Sequence, residues 1–160
     1  MKKFQIRPLT KDDGAWVVAL LKEWWAGPEI VTHGKSHYAD ELAGFIAMQQ
    51  KRQAGLITYD IEGKDCEIVT MNSLAEKIGI GSALLDAVKD AAIKKGCKRV
   101  WLITTNDNTG ALRFWQKQGF HITIVRTNAM GKYRQIKPEI PLTGNDGIEI
   151  RDEIELEIIL

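Results

Sequence analysis

The stretch that most restricts the fold runs from Cys66 to Thr104. An apolar run at Cys66–Asn72 leads through Gly79-Ile80-Gly81-Ser82 into a helical pattern ending near Lys95, then past Gly96 into a second apolar run at Arg99–Thr104. Two strands joined through a helix lie parallel, because the crossover brings the chain back to the end of the sheet from which it left. Upstream, runs at about Gly44–Gln50, Gly55–Ile61 and Cys66–Asn72 are separated only by Lys51-Arg52-Gln53 and Glu62-Gly63-Lys64-Asp65. Connections that short make antiparallel hairpins. The pattern predicts an α/β fold with a mixed sheet, an antiparallel meander plus a central parallel βαβ pair. Such a sheet has a crevice where its interior parallel strands end.

The flanks extend the pattern. Phe4, Ile6 and Pro8 alternate with polar neighbours as a first strand, and Thr10 or Asp12 offers an N-cap for a helix to about Trp25. Val17, Leu20, Leu21 and Trp24 recur at helical spacing, and Gly27-Pro28 ends the run. Glu29–Glu41 has little periodicity and reads as a loop with one helical turn at most. Downstream, Asn108 caps a helix to about Gln118, Gly119 stops it, and Phe120–Thr127 returns as a strand. A helical or irregular piece at Asn128–Gln135 precedes a Pro- and Gly-marked loop. Glu153–Ile159 closes the chain as a strand, with Ile154, Leu156 and Ile158 turned inward and Glu153, Glu155 and Glu157 predicted to face water.

Composition excludes several classes. At 160 residues the chain matches one domain of on the order of 100–200 residues, and residues 1–160 read as one unbroken unit without repeats or linkers. Lys plus Arg is 22 against 21 for Asp plus Glu, a balance that offers no field for nucleic acid or an anionic membrane. No run approaches the roughly 20 apolar residues of a membrane span, and the Lys2-Lys3 start has no apolar run behind it. Cys66 and Cys97 are too few for a disulfide framework and have no metal-ligand spacing. A cytoplasmic protein without a bound metal is the expectation.

The chemistry concentrates at Glu76-Lys77-Ile78-Gly79-Ile80-Gly81-Ser82-Ala83-Leu84-Leu85. Backbone N–H groups converging at a helix start form an anion site suited to a pyrophosphate, and glycine lets phosphate oxygens approach. Two rival phosphate motifs fail on the residues. A Walker A loop needs Gly-Lys-Ser/Thr where Gly81-Ser82-Ala83 stands. A dinucleotide fingerprint needs a third glycine where Leu84 stands, and an acidic residue where the next strand ends in Thr104-Thr105-Asn106.

That block is followed by Asn108-x-x-Ala111-x-x-Phe114-Trp115-x-x-x-Gly119-Phe120. Together the two blocks, spanning about Cys66–Phe120, resemble those of the GNAT N-acetyltransferase superfamily, and the tail from Lys137 onward looks like that of an uncharacterised bacterial branch. The resemblance implies a GNAT-like sheet with a splayed cofactor crevice and an enzyme moving an acetyl group from acetyl-CoA to a primary amine of a small molecule or peptide by direct attack. It implies pantetheine pairing along Val69, Met71 and Ser73, and a pyrophosphate held by Ile78, Gly79, Ile80, Gly81 and Ser82. Asn108, Phe114 and Trp115 would lie beside the pantetheine arm. It also implies a monomer or homodimer whose partners are acetyl-CoA and an amine acceptor, which the motifs do not identify.

Two positions depart from the family pattern. Glu76 stands where Arg or Gln is usual, with Lys77 next to it as a compensating charge. Trp115 stands where many members carry the tyrosine that protonates the leaving thiolate, and an indole N–H donates a hydrogen bond without releasing a proton near neutral pH. Glu67 is the candidate base, on the strand where some members carry a catalytic glutamate. His33 and His37 lie in the acceptor-side loop, where the simpler reading is a surface position without a role, and His121 reads as structural. Trp16, Trp24 and Trp25 read as core and cleft wall, with a cation-binding cage before the acceptor loop as the alternative. A CoA-binding module without turnover is the alternative, favoured by Trp115 and Glu76.

Overall fold

The computed structural model describes residues 3–160. Its elements in chain order are β1 (Gln5–Pro8), α1 (Gly14–Trp25), β2 (Glu29–Thr32), β3 (Lys35–Tyr38), β4 (Ala43–Gln49), β5 (Arg52–Glu62), β6 (Asp65–Ser73), α2 (Ile80–Lys94), β7 (Arg99–Thr105), α3 (Thr109–Lys117), β8 (His121–Arg126), α4 (Ala129–Ile136) and β9 (Glu153–Ile159). Seven strands form one sheet in the order β1-β4-β5-β6-β7-β9-β8, and β2 pairs with β3 apart from it. Every pairing is antiparallel except β6 with β7, the predicted parallel pair.

The helices cover both faces. Leu84, Leu85, Val88 and Ala92 of α2 pack on Cys66, Ile68, Val100 and Leu102. On the opposite face Val17, Leu20 and Leu21 of α1 meet Ile30, Leu56 and Val69. Alternation along β6 feeds both layers, as expected of a strand buried on each side. Cys66 and Cys97 are free and buried, and burial pushes the Cys66 thiol up to about 12.

The entry to α1 is built by one carboxylate. Asp13 accepts the backbone N–H of Thr10 at 2.8 Å and a two-pronged pair from Arg7 at 2.7 and 2.8 Å. That arrangement closes the capping box of the 3-10 turn Lys11–Asp13 that leads into α1 and ties the turn to β1. At the far end Ala26 takes a left-handed φ of 56° before Gly27-Pro28, the stop expected there.

Two readings of the sequence are corrected. Glu29–Glu41 is a β-hairpin followed by a short 3-10 turn, with Thr32 opposite Lys35 across His33-Gly34. His33 and Gly34 have φ of 48° and 74°, the geometry of a two-residue primed turn. His37 is therefore on a strand and buried, whereas His33 is exposed at the tip. The closing strand also differs: Glu153 and Glu155 are buried, because β9 lies beside β8 with its Arg126, and Tyr133 of α4 and the hairpin tip at His33 cover that face. The strand alternates as predicted, but the face assigned to water is covered. Arg126 bridges both carboxylates at 3.0 Å, and Tyr133 donates its hydroxyl to Glu153 at 3.0 Å. Burial, followed by the Glu153 charge, pushes the Tyr133 phenol up to about 12.

Candidate active site

The parallel ladder is short. It joins Asp65–Ile68 to Arg99–Leu102 and stops, although β6 continues to Ser73 and β7 to Thr105. At the same point the β5 ladder slips: Thr58 faces Thr70 and Tyr59 faces Ile68, so Val69 is skipped. A bulge adds twist and turns its strand away from a neighbour. Beyond Ile68 the edge of β6 facing β7 has no sheet partner, and the gap opens into a cavity of about 470 Å³. Val69, Met71, Ser73, Asn108, Phe114 and Trp115 line it.

The gap continues past the start of α2. Gly79, the N-cap, has φ of 85°, and the first intrahelical bond runs from Ala83 N–H to the Gly79 carbonyl. The N–H groups of Ile80, Gly81 and Ser82 thus precede any acceptor within the helix. Three cationic side chains, Lys77, Arg113 and Lys117, share this mouth with Glu76. Arg113 and Lys117 lie one helical turn apart on α3, so they present charge on one face. Gly81 has a packing reason to be glycine: a Cβ there would stand 3.2 Å from two ring atoms of Phe114. Ser82 Oγ accepts from Gln118 Nε2 at 3.0 Å, a second tie between α2 and α3.

A second cavity of about 470 Å³ lies on the α1 side and shares Trp25, Val69, Ile103, Thr104 and Asn108 with the first. Trp25 stands at the junction, held by an indole N–H donated to Asn72 Oδ1 at 2.6 Å. Thr32 of the hairpin and Lys137 of the C-terminal segment also line this cavity. Lys137 is buried, its ammonium donating to the carbonyls of Trp25, at 2.7 Å, and Glu29. Burial lowers its pKa, opposed by the Glu139 and Glu29 charges.

The geometry matches one family. The model of the acetyltransferase (GNAT) family covers residues 5–120, most of the chain. The chain belongs to the GNAT family. Its relatives include YdhI of Bacillus subtilis, 47% identical over 131 residues, 81% of this chain and 82% of that protein. YxbD of the same organism is 40% identical over 141 residues, 88% and 89% of the two chains. Among solved structures, an IAA acetyltransferase from Bacillus cereus superposes with a TM-score of 0.75 at 21% identity, covering 98% of this chain and 99% of that one. A GNAT acetyltransferase from Elizabethkingia anophelis with acetyl-CoA bound gives 0.70 at 22%, covering all of both. These structures share the mixed sheet.

In this GNAT chain most of the residues singled out from sequence come together. Val69, Met71 and Ser73 line the gap from the β6 side, and Asn108, Phe114 and Trp115 from the α3 side. Asn108 Oδ1 also accepts the Ala111 N–H at 3.2 Å, so it caps α3 while facing the gap. Trp115 is buried edge-on between Phe114 and Phe120, at centroid distances of 4.9 and 5.2 Å. Gly79, Ile80, Gly81 and Ser82 surround the α2 mouth, but Ile78 instead lines a depression with Lys3 and Phe4. Glu67 lines neither cavity. It is buried behind Thr32, whose hydroxyl donates to Glu67 Oε1 at 2.6 Å, with His37 Nε2 3.1 Å from Oε2. Trp24 and Trp25 are cleft wall, and Trp16 packs with the α1 core.

Motif reading missed Thr32, Lys137, Arg113 and Lys117. The last two carried a signal, a basic pair four apart on the helix after Asn108. Thr32 and Lys137 carried none, because only chain folding brings them to the cavity.

Proposed function

We propose that residues 1–160 form one acetyl-CoA-dependent N-acetyltransferase domain that acetylates a primary amine of a small molecule or peptide by direct attack. The observation carrying this reading is the split between β6 and β7 at Ile68/Leu102, which opens beside the orphan N–H groups of α2 and runs into a second cavity at Val69. An extended pantetheine arm fits such an edge, because the free backbone groups from Val69 to Ser73 pair with its amides as with an added strand. Ile80, Gly81 and Ser82 present N–H groups to the pyrophosphate, with Lys77, Arg113 and Lys117 as counter-charge that outweighs Glu76.

Acetyl-CoA supplies a thioester whose acetyl group passes to the amine while the CoA thiolate leaves. The chain then has three tasks. Proton removal falls to Glu67 acting through the Thr32 hydroxyl: Thr32 takes a proton from the amine as it gives its own to Oε1. A backbone N–H in the Val69–Met71 segment supports the developing oxyanion. Trp115 steadies the departing thiolate through its indole N–H, and the proton that completes the thiol comes from water.

Trp115 at the usual tyrosine position also favours the second reading, a CoA-binding module without turnover. Calorimetry with acetyl-CoA, followed by thiol release across monoamines, polyamines, amino acids, aminoglycosides and peptides, separates the two. Binding with amine-dependent release supports the enzyme; binding with no release above hydrolysis supports the module. Absence of binding overturns both.

A further inference from the structure

Resting on the acetyltransferase reading, the second cavity restricts the acceptor. Of the residues lining it, Glu23 alone carries a carboxylate, and Glu23 is exposed at the rim. The wall is built from Trp24, Ile30, Val31, Ile103, Met130 and Ile150. The one buried ionisable side chain among the lining residues is cationic, Lys137, held in place by the Trp25 and Glu29 carbonyls. Glu67, the nearest buried carboxylate in the proton path, is shielded by Thr32 and already engaged with it and with His37.

We infer that the acceptor is a small primary monoamine with an apolar, aromatic-sized body, and that polycationic amines are excluded. A second ammonium buried with the acceptor would lose its water against an apolar wall, find no carboxylate inside the rim and meet the Lys137 charge instead. A single amine presented to Thr32 has its only charge at the atom that must lose a proton, and the rest of the molecule buries against Trp24 and the aliphatic wall. The surroundings also favour its reactive form, since desolvation and a neighbouring cation both disfavour an ammonium. The specificity comes from the β2–β3 hairpin and the Met130–Ile150 region, outside the two motif blocks.

The test compares 2-phenylethylamine and tryptamine with spermidine, kanamycin and a pentapeptide bearing an N-terminal leucine. Thiol release is measured at saturating acetyl-CoA, and calorimetry measures amine binding to the CoA-saturated protein. Expected is a kcat/KM at least a hundredfold higher for the aryl-alkyl amines than for spermidine or kanamycin, with matching order in binding. Val31→Glu, on the half-buried hairpin wall, narrows that gap at least tenfold while leaving acetyl-CoA affinity unchanged. Ile140, on the C-terminal segment, lines the same cavity, and Ile140→Glu repeats the test should the first variant melt early. Spermidine or kanamycin as the best acceptor overturns the inference, and so does a pentapeptide that outperforms the free amines. Turnover of another amine but not of the monoamines overturns the acceptor class alone, whereas acetyl-CoA binding with turnover of no amine, or no acetyl-CoA binding, overturns the acetyltransferase reading beneath it.

Discussion

Thr32 and Glu67, 35 positions apart, are joined by a 2.6 Å hydrogen bond that ties a residue of the cavity wall to a buried carboxylate. Glu67→Gln and Thr32→Val each interrupt that path. Each is expected to lower kcat by about a hundredfold while leaving the KM for acetyl-CoA unchanged. Because both act on one path, the double variant should lose little more than either single one. Steady-state kinetics with the best amine checks this, and additive losses would assign the two residues separate roles.

Gly81→Ala places a methyl group 3.2 Å from the Phe114 ring. The neighbour must give way, and overpacking of this kind costs about 1–3 kcal/mol. The expected result is a lowered melting temperature together with weaker acetyl-CoA binding, as the α2 mouth moves off α3. Adding Phe114→Leu, which removes the ring, should restore much of the affinity. Calorimetry on the single and double variants decides whether Gly81 is required by packing or by phosphate approach alone.

Trp115→Phe removes the indole N–H of a residue that lines the cavity and shrinks a core side chain packed edge-on to Phe114 and Phe120. Loss of one hydrogen bond of about 1 kcal/mol predicts a fivefold to tenfold fall in kcat. Trp115→Tyr supplies a phenol and should match or exceed the parent. Equal turnover for all three would show that the thiolate leaves without a donor.

The Arg7 guanidinium and the Thr10 backbone N–H hold the Asp13 carboxyl well below its usual range. A carboxylate depressed in the folded state adds stability that is whole above the unfolded value of about 3.9 and disappears as acid titrates through the folded value. Urea melts of the parent and Asp13→Asn should therefore differ by a constant amount from pH 5 to 7 and draw progressively closer as the pH falls below about 4. A gap that persists into acid would make the contribution one of packing.

Local signals determined a large share of this protein. Hydrophobic alternation, the Gly79 turn and the Asn108 cap set the order of most elements, and the β6–α2–β7 crossover left only a parallel pair as its outcome. The motif residues on α2 and α3 were identifiable because each depends on neighbours a few positions away: a helix start, a cap, a stripe. The hairpin at Glu29–Tyr38 carried such a signal in His33-Gly34 as well, masked by weak alternation on either side. What no local pattern contains is which strand lies beside which. The insertion of β9 between β7 and β8 turned Glu153 and Glu155 from apparent surface residues into a buried charge cluster with Arg126. The meeting of Thr32 with Glu67, and of Lys137 with the Trp25 and Glu29 carbonyls, likewise joins groups that are remote along the chain. Those contacts depend on sheet order and layer packing, which arise from the burial of the whole chain, so the lining of the second cavity was decided by the tertiary structure.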